Sequence, residues 1–397
     1  MTSYLSSDAL SPVLRALSGD ARRARICSLL RQRGPMTRAE LSRATGIAKS
    51  SMSLLVDQLV ASGEVTVRLA TPANRSRKVR GRPGELVELN ASSGAAIGLE
   101  FGHEHVRGVI GDISHDILAE REVHVGANYD VRSALAVARE LVTDLLHASR
   151  VTPSRILGIG VSLPLSVEDA RVSAFPSRIQ SRWKEVDIVA ELSESTGFEV
   201  AIENDANLAA YSELLWGSQI GNFLYVKLHS GVGGAIVVDY RVVAGRHGGA
   251  GEIGHLSLDP NGAICQCGHR GCLDAYAGIS SMLAEASRAF GYEISFRVFL
   301  GLVDDGDPVC TRILGDAALR IGQAIAMICT ILNPDAVVLG GALTWAHSPM
   351  LGAIVAAFQR FAVPTTTDVR ILHADFGKYA SAMGAVALVL GQVRPTK

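Results

Sequence analysis

Three cysteines fall within a short run, Cys265-x-Cys267-x4-Cys272, and His255 stands ten residues before the first, in GGAGEIGHLSLDPNGAICQCGHRGCLDAY. Nowhere else does the chain leave its backbone so few options. Three thiolates and one imidazole at this spacing suit a closed tetrahedral zinc site, soft sulfur with borderline nitrogen. Closing such a site forces the segment from His255 to Cys272 to fold back on itself, and Gly268 and Gly271 supply the necessary backbone freedom. A disulfide is the competing reading. It is disfavoured because the N-terminus, MTSYLSSDALSPVLRAL, lacks a secretory signal pattern and cytosolic thiols stay reduced. Four protein ligands leave no open coordination position, so the expected Zn2+ is structural. Cys27, Cys310 and Cys329 lie in apolar helical contexts and read as buried thiols.

A chain of 397 residues exceeds one ordinary core and implies two or three domains. It holds no run of 18 or more consecutive apolar residues, so no membrane span is expected, and the reading is a cytoplasmic protein. The formal net charge of −1 conceals an asymmetry. Residues 1–90 carry 15 Lys/Arg against 7 Asp/Glu, a net of +8, and the remainder therefore carries −9. A basic head on an acidic body is the layout of a nucleic-acid-binding module joined to a domain that binds something else.

The head has a matching pattern. Helical periodicity begins near Leu14 and continues through ARRARICSLLRQRG, with Ile26, Leu29 and Leu30 on one face and Gly34-Pro35 as the stop. Thr37 precedes Glu40 by a capping-box spacing, which opens a short helix carrying Arg38 in its first turn. Thr45-Gly46 makes the turn into a second helix, AKSSMSLLVDQLVASG. Its inward face is read as Met52, Leu55, Val56, Leu59 and Val60, and its leading end exposes Lys49, Ser50, Ser51 and Ser53. The alternating strand VTVRL and the loop TPANRSRKVRGRPG follow, with Arg75, Arg77, Lys78, Arg80 and Arg82 in the loop and no acidic residue there. Helix, glycine turn, helix and basic wing form a winged helix-turn-helix module over residues 1–90. Arg38, Lys49 to Ser51, Ser53 and the wing basics are its candidate DNA contacts. A three-helix packing module with a solvated loop is the plainer alternative.

From residue 91 onward the pattern is α/β. GAAIGLEFG, HVRGVIGD and HDILAEREVHV read as successive strands, DVRSALAVARELVTDLLHASR as a helix, and ILGIGVSLP as a buried strand. NFLYVKLHSGVGGAIVVDYRVVAG and DAALRIGQAIAMICTILNPDAVVLGG repeat the plan. Two related α/β lobes are the layout of the actin-like ATPases. Lobe one is expected over about 91–210 plus the C-terminal helix, and lobe two over about 211–375 with the zinc loop.

GEIGH, CQCGHRGC and the upstream ENDAN (Glu203 to Asn207) together resemble the ROK family of sugar-responsive repressors, open reading frames and sugar kinases. The resemblance spans essentially the whole chain, and the zinc segment is its most specific part. It implies a two-lobed sugar-kinase fold that binds a sugar through Asn204, Asp205, Glu252, His255 and Asp274, with Asp205 as general base in a kinase. Asp274 departs from the usual Glu. The alternative for Glu203–Asn207 is a polar loop capping the helix after it. Gly81-Arg82-Pro83 closing the head resembles the winged operator-binding domain of the ROK repressors.

ATP use in this family needs two glycine turns. The first, usually Asp-x-Gly-Gly-Thr, reads Glu100-Phe101-Gly102-His103-Glu104, and a carboxylate at Glu104 would face the triphosphate. The second reads His229-Ser230-Gly231-Val232-Gly233-Gly234, with Gly340-Gly341 on the adenosine side. The expectation is a non-enzymatic, sugar-responsive repressor that binds a palindromic operator as a homodimer or homotetramer. An active ATP-dependent sugar kinase with a DNA-binding head is the alternative. A sensor of a phosphosugar or a protein partner is a third reading.

Overall fold

A computed structural model describes residues 21–69, 85–90, 94–112, 116–126, 129–168, 171–172, 183, 186–217, 220–346 and 349–390. The helix start near Leu14 and the wing residues Arg75, Arg77, Lys78, Arg80 and Arg82 lie outside them. The first elements are α1 (Ala21–Arg33), β1 (Met36–Thr37), α2 (Arg38–Thr45), α3 (Lys49–Ala61), β2 (Val65–Leu69) and β3 (Glu85–Leu89). Next come β4 (Ala95–Phe101), β5 (His105–Asp112), β6 (Ile117–His124), α4 (Val131–Ser149) and β7 (Ile156–Leu163), then β8 (Val167–Glu168), β9 (Arg171–Val172), α5 (Ile188–Thr196), β10 (Val200–Asn204) and α6 (Asp205–Trp216). The remaining strands are β11 (Phe223–Leu228), β12 (Val232–Val238), β13 (Arg241–Val242), β14 (Ala336–Gly340) and β15 (Arg370–His373). The remaining helices are α7 (Asp274–Ala277), α8 (Ile279–Phe290), α9 (Phe296–Asp304), α10 (Pro308–Leu332), α11 (Ala342–Ala346), α12 (Pro349–Phe361) and α13 (Ala380–Leu390).

In the head, α1, α2 and α3 pack around Ile26, Leu30, Leu41, Met52, Val56 and Leu59, joined by Val65 and Val87 of a three-stranded sheet ordered β1-β3-β2. This is the element order of a winged helix-turn-helix. The capping box is present: the Thr37 hydroxyl accepts from the Glu40 N–H while the Glu40 carboxylate accepts from the Thr37 N–H. Gly46 ends α2 at φ 73°, the left-handed cap that glycine adopts without strain. Val60 departs from the expected inward face. It is 41% exposed, because the stripe facing the core is carried by Met52, Val56 and Leu59.

The body divides by contacts into two compact units. One is drawn from Leu163–Asp187 and Glu203–Ser381, the other from residues up to Ser162, Ile188–Ile202 and Ala382 onward. Each holds a five-stranded sheet of the same plan. In one, the β4-β5-β6 meander continues through β7, parallel to β4, to β10. In the other, the β11-β12-β13 meander continues through β14, parallel to β11, to β15. The duplication expected from the sequence is therefore present strand for strand. The break falls before α6, earlier than the expected limit near 210, because α6 packs on β11 and β12.

Glycine makes the first sheet possible. A Cβ on Gly98 or Gly160 would overlap the carbonyls of Ala382 and Ala385, so α13 lies directly on the backbone of β4 and β7. The opposite face takes α4, with Leu145 against Gly108. In the second unit Leu224, Val226, Val337 and Leu339 bury against Ile321, Ile325 and Cys329 of α10. Among the described residues α10 has the length and hydropathy to cross a membrane, but its buried face belongs to this core.

Candidate metal centre and effector site

The metal cluster is built by local pairing. Leu258 donates to Gly271 O and Leu273 to Leu256 O, which draws the two arms of the loop together. Cys265 N donates to His269 O and Gly268 N to Cys265 O, closing a tight turn at the tip. Gly268 and Gly271 have φ of 93° and 67°, and a Cβ on Gly271 would overlap the Asp259 carbonyl. Both glycines thus do what the sequence required of them.

One ligand atom each from His255, Cys265, Cys267 and Cys272 lies within 4.8 Å of all the others. His255 Nδ1 is 3.6 Å from Cys265 Sγ, and Cys267 Sγ is 3.6 Å from Cys272 Sγ. A tetrahedral ion about 2.3 Å from each sulfur sets sulfurs about 3.8 Å apart, so the donor set fits. The thiol chemistry also calls for a cation. Burial, with the neighbouring sulfurs, pushes Cys272 up to about 12. Burial also opposes ionisation of Cys267, but the His269 backbone and ring donors outweigh it and bring that thiol down to about 6. The sulfurs cannot all be ionised at neutral pH without positive charge among them. The other ring nitrogen, His255 Nε2, faces Glu252 Oε2 at 3.9 Å, beyond hydrogen-bond reach.

The expected sugar ligands fall in the same unit. Asn204 caps α6: its Oδ1 accepts from the Ala206 and Asn207 N–H groups and its Nδ2 donates to Leu165 O. The capping role weighed from the sequence is real, and it leaves Asn204 one N–H. The next residue, Ser166, donates to Glu252 Oε1 at 2.7 Å. Consecutive residues of one strand-end segment thus tether Asn204 and Glu252. Asp274 accepts from the Val232 N–H at 2.8 Å and is held above the usual carboxylate range by burial, partly offset by that amide. Its Oδ1 crowds the face of Gly231. Asp205 pairs with Lys227 of β11, whose Nζ lies 2.8 Å from Asp205 Oδ2 and 2.9 Å from Ser381 Oγ. Sequence reading missed Ser166 and Lys227. The one available signal for Lys227 was a cation inside an otherwise apolar strand just ahead of a glycine turn.

In the other unit, the first glycine turn is filled by its own side chains. Arg107 Nη1 lies 2.6 Å from Glu100 Oε2, and both residues are buried. The His105 ring covers Gly102, whose amide donates to His105 O. In the head, Lys49 and Ser50 are exposed and Ser51 and Ser53 half-buried, and no side chain caps the first turn of α3. Arg38 does not stand free as a DNA contact. Its guanidinium is spent on α3, 3.0 Å from Ser53 O and 2.8 Å from Asp57 Oδ1, because α2 and α3 cross close to its stem.

Duplicated sheets, a Cys3His cluster and acidic and amide side chains at the strand ends define the sugar-kinase class of actin-like ATPase folds. Residues 96–392 match the ROK family model, and the chain belongs to the ROK family. It is similar to the xylose repressor of Bacillus subtilis, 25% identical over 364 residues, covering 90% of this chain and 91% of that one. The glucokinase of Halalkalibacterium halodurans is 31% identical over 265 residues, covering 62% of this chain and 80% of the relative. Among solved structures, a ROK family transcriptional regulator homologous to the Escherichia coli MLC protein superposes with TM-score 0.71 at 23% identity, over 94% of this chain and 96% of that one. The ROK hexokinase of Thermus thermophilus gives 0.61 at 27% identity, over 74% of this chain and 97% of that one. A match over 90% of the chain necessarily reaches into the residues before 96.

Proposed function

We propose that the protein is a cytoplasmic, sugar-responsive transcriptional repressor whose operator binding is set by a sugar held at Asn204, Asp205, Glu252, His255 and Asp274. The carrying observation is that similarity to repressors extends into the three-helix head, whereas the kinase matches cover about three quarters of the chain or less. α3 would enter the major groove by its leading end, with Lys49, Ser50, Ser51 and Ser53 toward DNA. The basics from Arg75 to Arg82 would neutralise phosphates, and Arg38 would act by holding α2 on α3. Two copies related by a two-fold axis would read a palindromic operator.

Three side-chain placements support a sensor over a kinase. Glu100 and His105 occupy the first glycine turn, Asp274 takes the Val232 amide of the second, and Lys227 occupies one oxygen of Asp205. A bound Zn2+ would brace the loop from His255 to Cys272 and supply no open position for chemistry. His255 would give one nitrogen to the metal and aim the other toward Glu252 and the sugar. The sugar would shift the equilibrium between DNA-bound and released forms only through its differential affinity for them.

The test is fluorescence anisotropy on DNA upstream of the protein's own gene, titrated with D-xylose, D-glucose and N-acetyl-D-glucosamine. One of these should release the DNA. Asp205→Ala should bind the same DNA and ignore the sugar. Release by that variant as in wild type, or ATP turnover coupled to any of these sugars, would count against the assignment.

A further inference from the structure

Lys227 has no part in the ligand set above, yet it is the cation that meets Asp205. Its side chain is 12% exposed and that of Asp205 is 19% exposed, so the pair is largely withdrawn from water. Three elements converge on it: β11 supplies Lys227, the first residue of α6 supplies Asp205, and the start of α13 supplies Ser381. The ring is closed, since the Ser381 hydroxyl also donates to the Asp205 carbonyl at 3.0 Å. A short aspartate anchored at a helix N-terminus and gripped by an ammonium at 2.8 Å has little rotational freedom left.

We propose that Lys227 is a positioning residue of the effector site: by taking Asp205 Oδ2 it fixes Oδ1 for a sugar hydroxyl, and it makes the site select uncharged sugars over their phosphates. The inference rests on the effector reading above. Selectivity follows from charge. The Asp205 carboxylate already offsets the ammonium, and Ser166, next to the Leu165 carbonyl that holds Asn204, ties Glu252 to the same segment. A phosphate brought to this site would meet a compensated cation and a further acidic side chain, and in a half-dry setting such repulsion is weakly screened. A neutral polyol meets only fixed acceptors, and preorganised acceptors raise affinity because little order is lost on binding.

The experiment measures binding of D-xylose, D-glucose, N-acetyl-D-glucosamine and a phosphate ester of each (the 5-phosphate of xylose, the 6-phosphates of the other two) to the full chain, by calorimetry and thermal shift. Wild type should bind at least one neutral sugar, with the corresponding phosphate weaker by tenfold or more, on the order of one lost charge-assisted contact. Lys227→Met should weaken that sugar by roughly ten- to a hundredfold, and Lys227→Arg should restore most of the loss. Asp205→Asn should also lose the neutral sugar, but it should raise the ratio of phosphate to neutral-sugar affinity, because the ammonium then lacks its carboxylate. Lys227→Met should lower the same ratio, because Asp205 then stands uncompensated, whereas loss of a merely structural lysine would weaken both ligands alike and leave the ratio unchanged. The double variant Asp205→Asn, Lys227→Met removes both charges together and keeps the test open should Lys227→Met alone fail to fold. It should bind the neutral sugar no more weakly than Asp205→Asn alone.

Wild-type preference for a phosphate, or neutral-sugar binding by Lys227→Met equal to wild type, overturns the proposal. Absence of binding by wild type to every member of the panel overturns the effector reading itself, a result visible before any variant is made.

Discussion

Glu213 of α6 is fully buried. One carboxylate oxygen accepts the Asp375 and Phe376 amides at 2.7 and 3.4 Å, and the other has no partner. Burial, reinforced by the nearby Asp375 carboxylate, pushes it up from 4.5 to about 8. Below pH 4.5 the group is protonated folded or unfolded, and stability is unaffected by it. Between 4.5 and about 8 the folded protein keeps a proton that the unfolded chain releases, so stability falls as pH rises, and the loss is complete above about 8. At 1.36 kcal/mol per unit the full loss is about 5 kcal/mol, and about 3 kcal/mol of it is already present at pH 7. Glu213→Gln is neutral at every pH, keeps an acceptor for the two amides and offers an N–H where the partnerless oxygen lies. Calorimetric melting at pH 5 and pH 8.5 would read the difference. The variant should melt close to wild type at pH 5 and roughly 10–20 °C higher at pH 8.5, taking 2–4 °C per kcal/mol for a unit of this size. Amide exchange within α6 should slow in parallel. An equal offset at both pH values, or a lower melting point at pH 8.5, would refute the reasoning.

Three further outcomes are expected. Cys272→Ser should abolish stoichiometric zinc in the purified protein, measured by plasma mass spectrometry, and lower the melting temperature; unchanged metal content would remove Cys272 from the ligand set. Arg38→Ala should weaken DNA binding while leaving the slope of log affinity against log salt unchanged, since the guanidinium grips α3; a slope reduced by about one would make it a phosphate contact instead. Gly160→Ala drives a methyl into the Ala385 carbonyl and should cost more than about 3 kcal/mol. The control Gly249→Ala, with open space around its Cβ, should be silent in the same melts.

What was legible in the sequence was local. The capping box at Thr37, the left-handed Gly46 and the cysteine spacing are short-range signals, and each appears as read. Most strands of both sheets followed from runs bounded by turns, but the edge strands β10 and β15, short and partly polar, did not. The sheets' common order needed the internal repeat as well, because strand order is a long-range property. Lys227 and Ser166 escaped notice because their partners, Asp205 and Glu252, stand 22 and 86 positions away. Arg38 has partners that the sequence did not show. A basic residue in the first turn of a helix-turn-helix motif invites a phosphate, and only the crossing of α2 and α3 shows that neighbouring groups claim it first. Val60 sits one turn beyond Val56 but off the buried line of Met52, Val56 and Leu59, and which side of a stripe the neighbours cover is a tertiary matter.

The stacking of α13 on the glycines of β4 and β7 has a consequence for how the protein is made. The sheet strands β4 to β7 leave the ribosome early, but the helix that seals one of their faces comes only after the whole of the other unit has been synthesised. Until then Gly98 and Gly160, with Gly111 and Gly158 on the same face, expose bare backbone, a surface that invites wrong pairing. The head, whose contacts are nearly all sequence-local, has no such wait. Nascent chains should therefore gain a folded head well before a folded body, and the emergence of α13 should decide whether the body escapes aggregation.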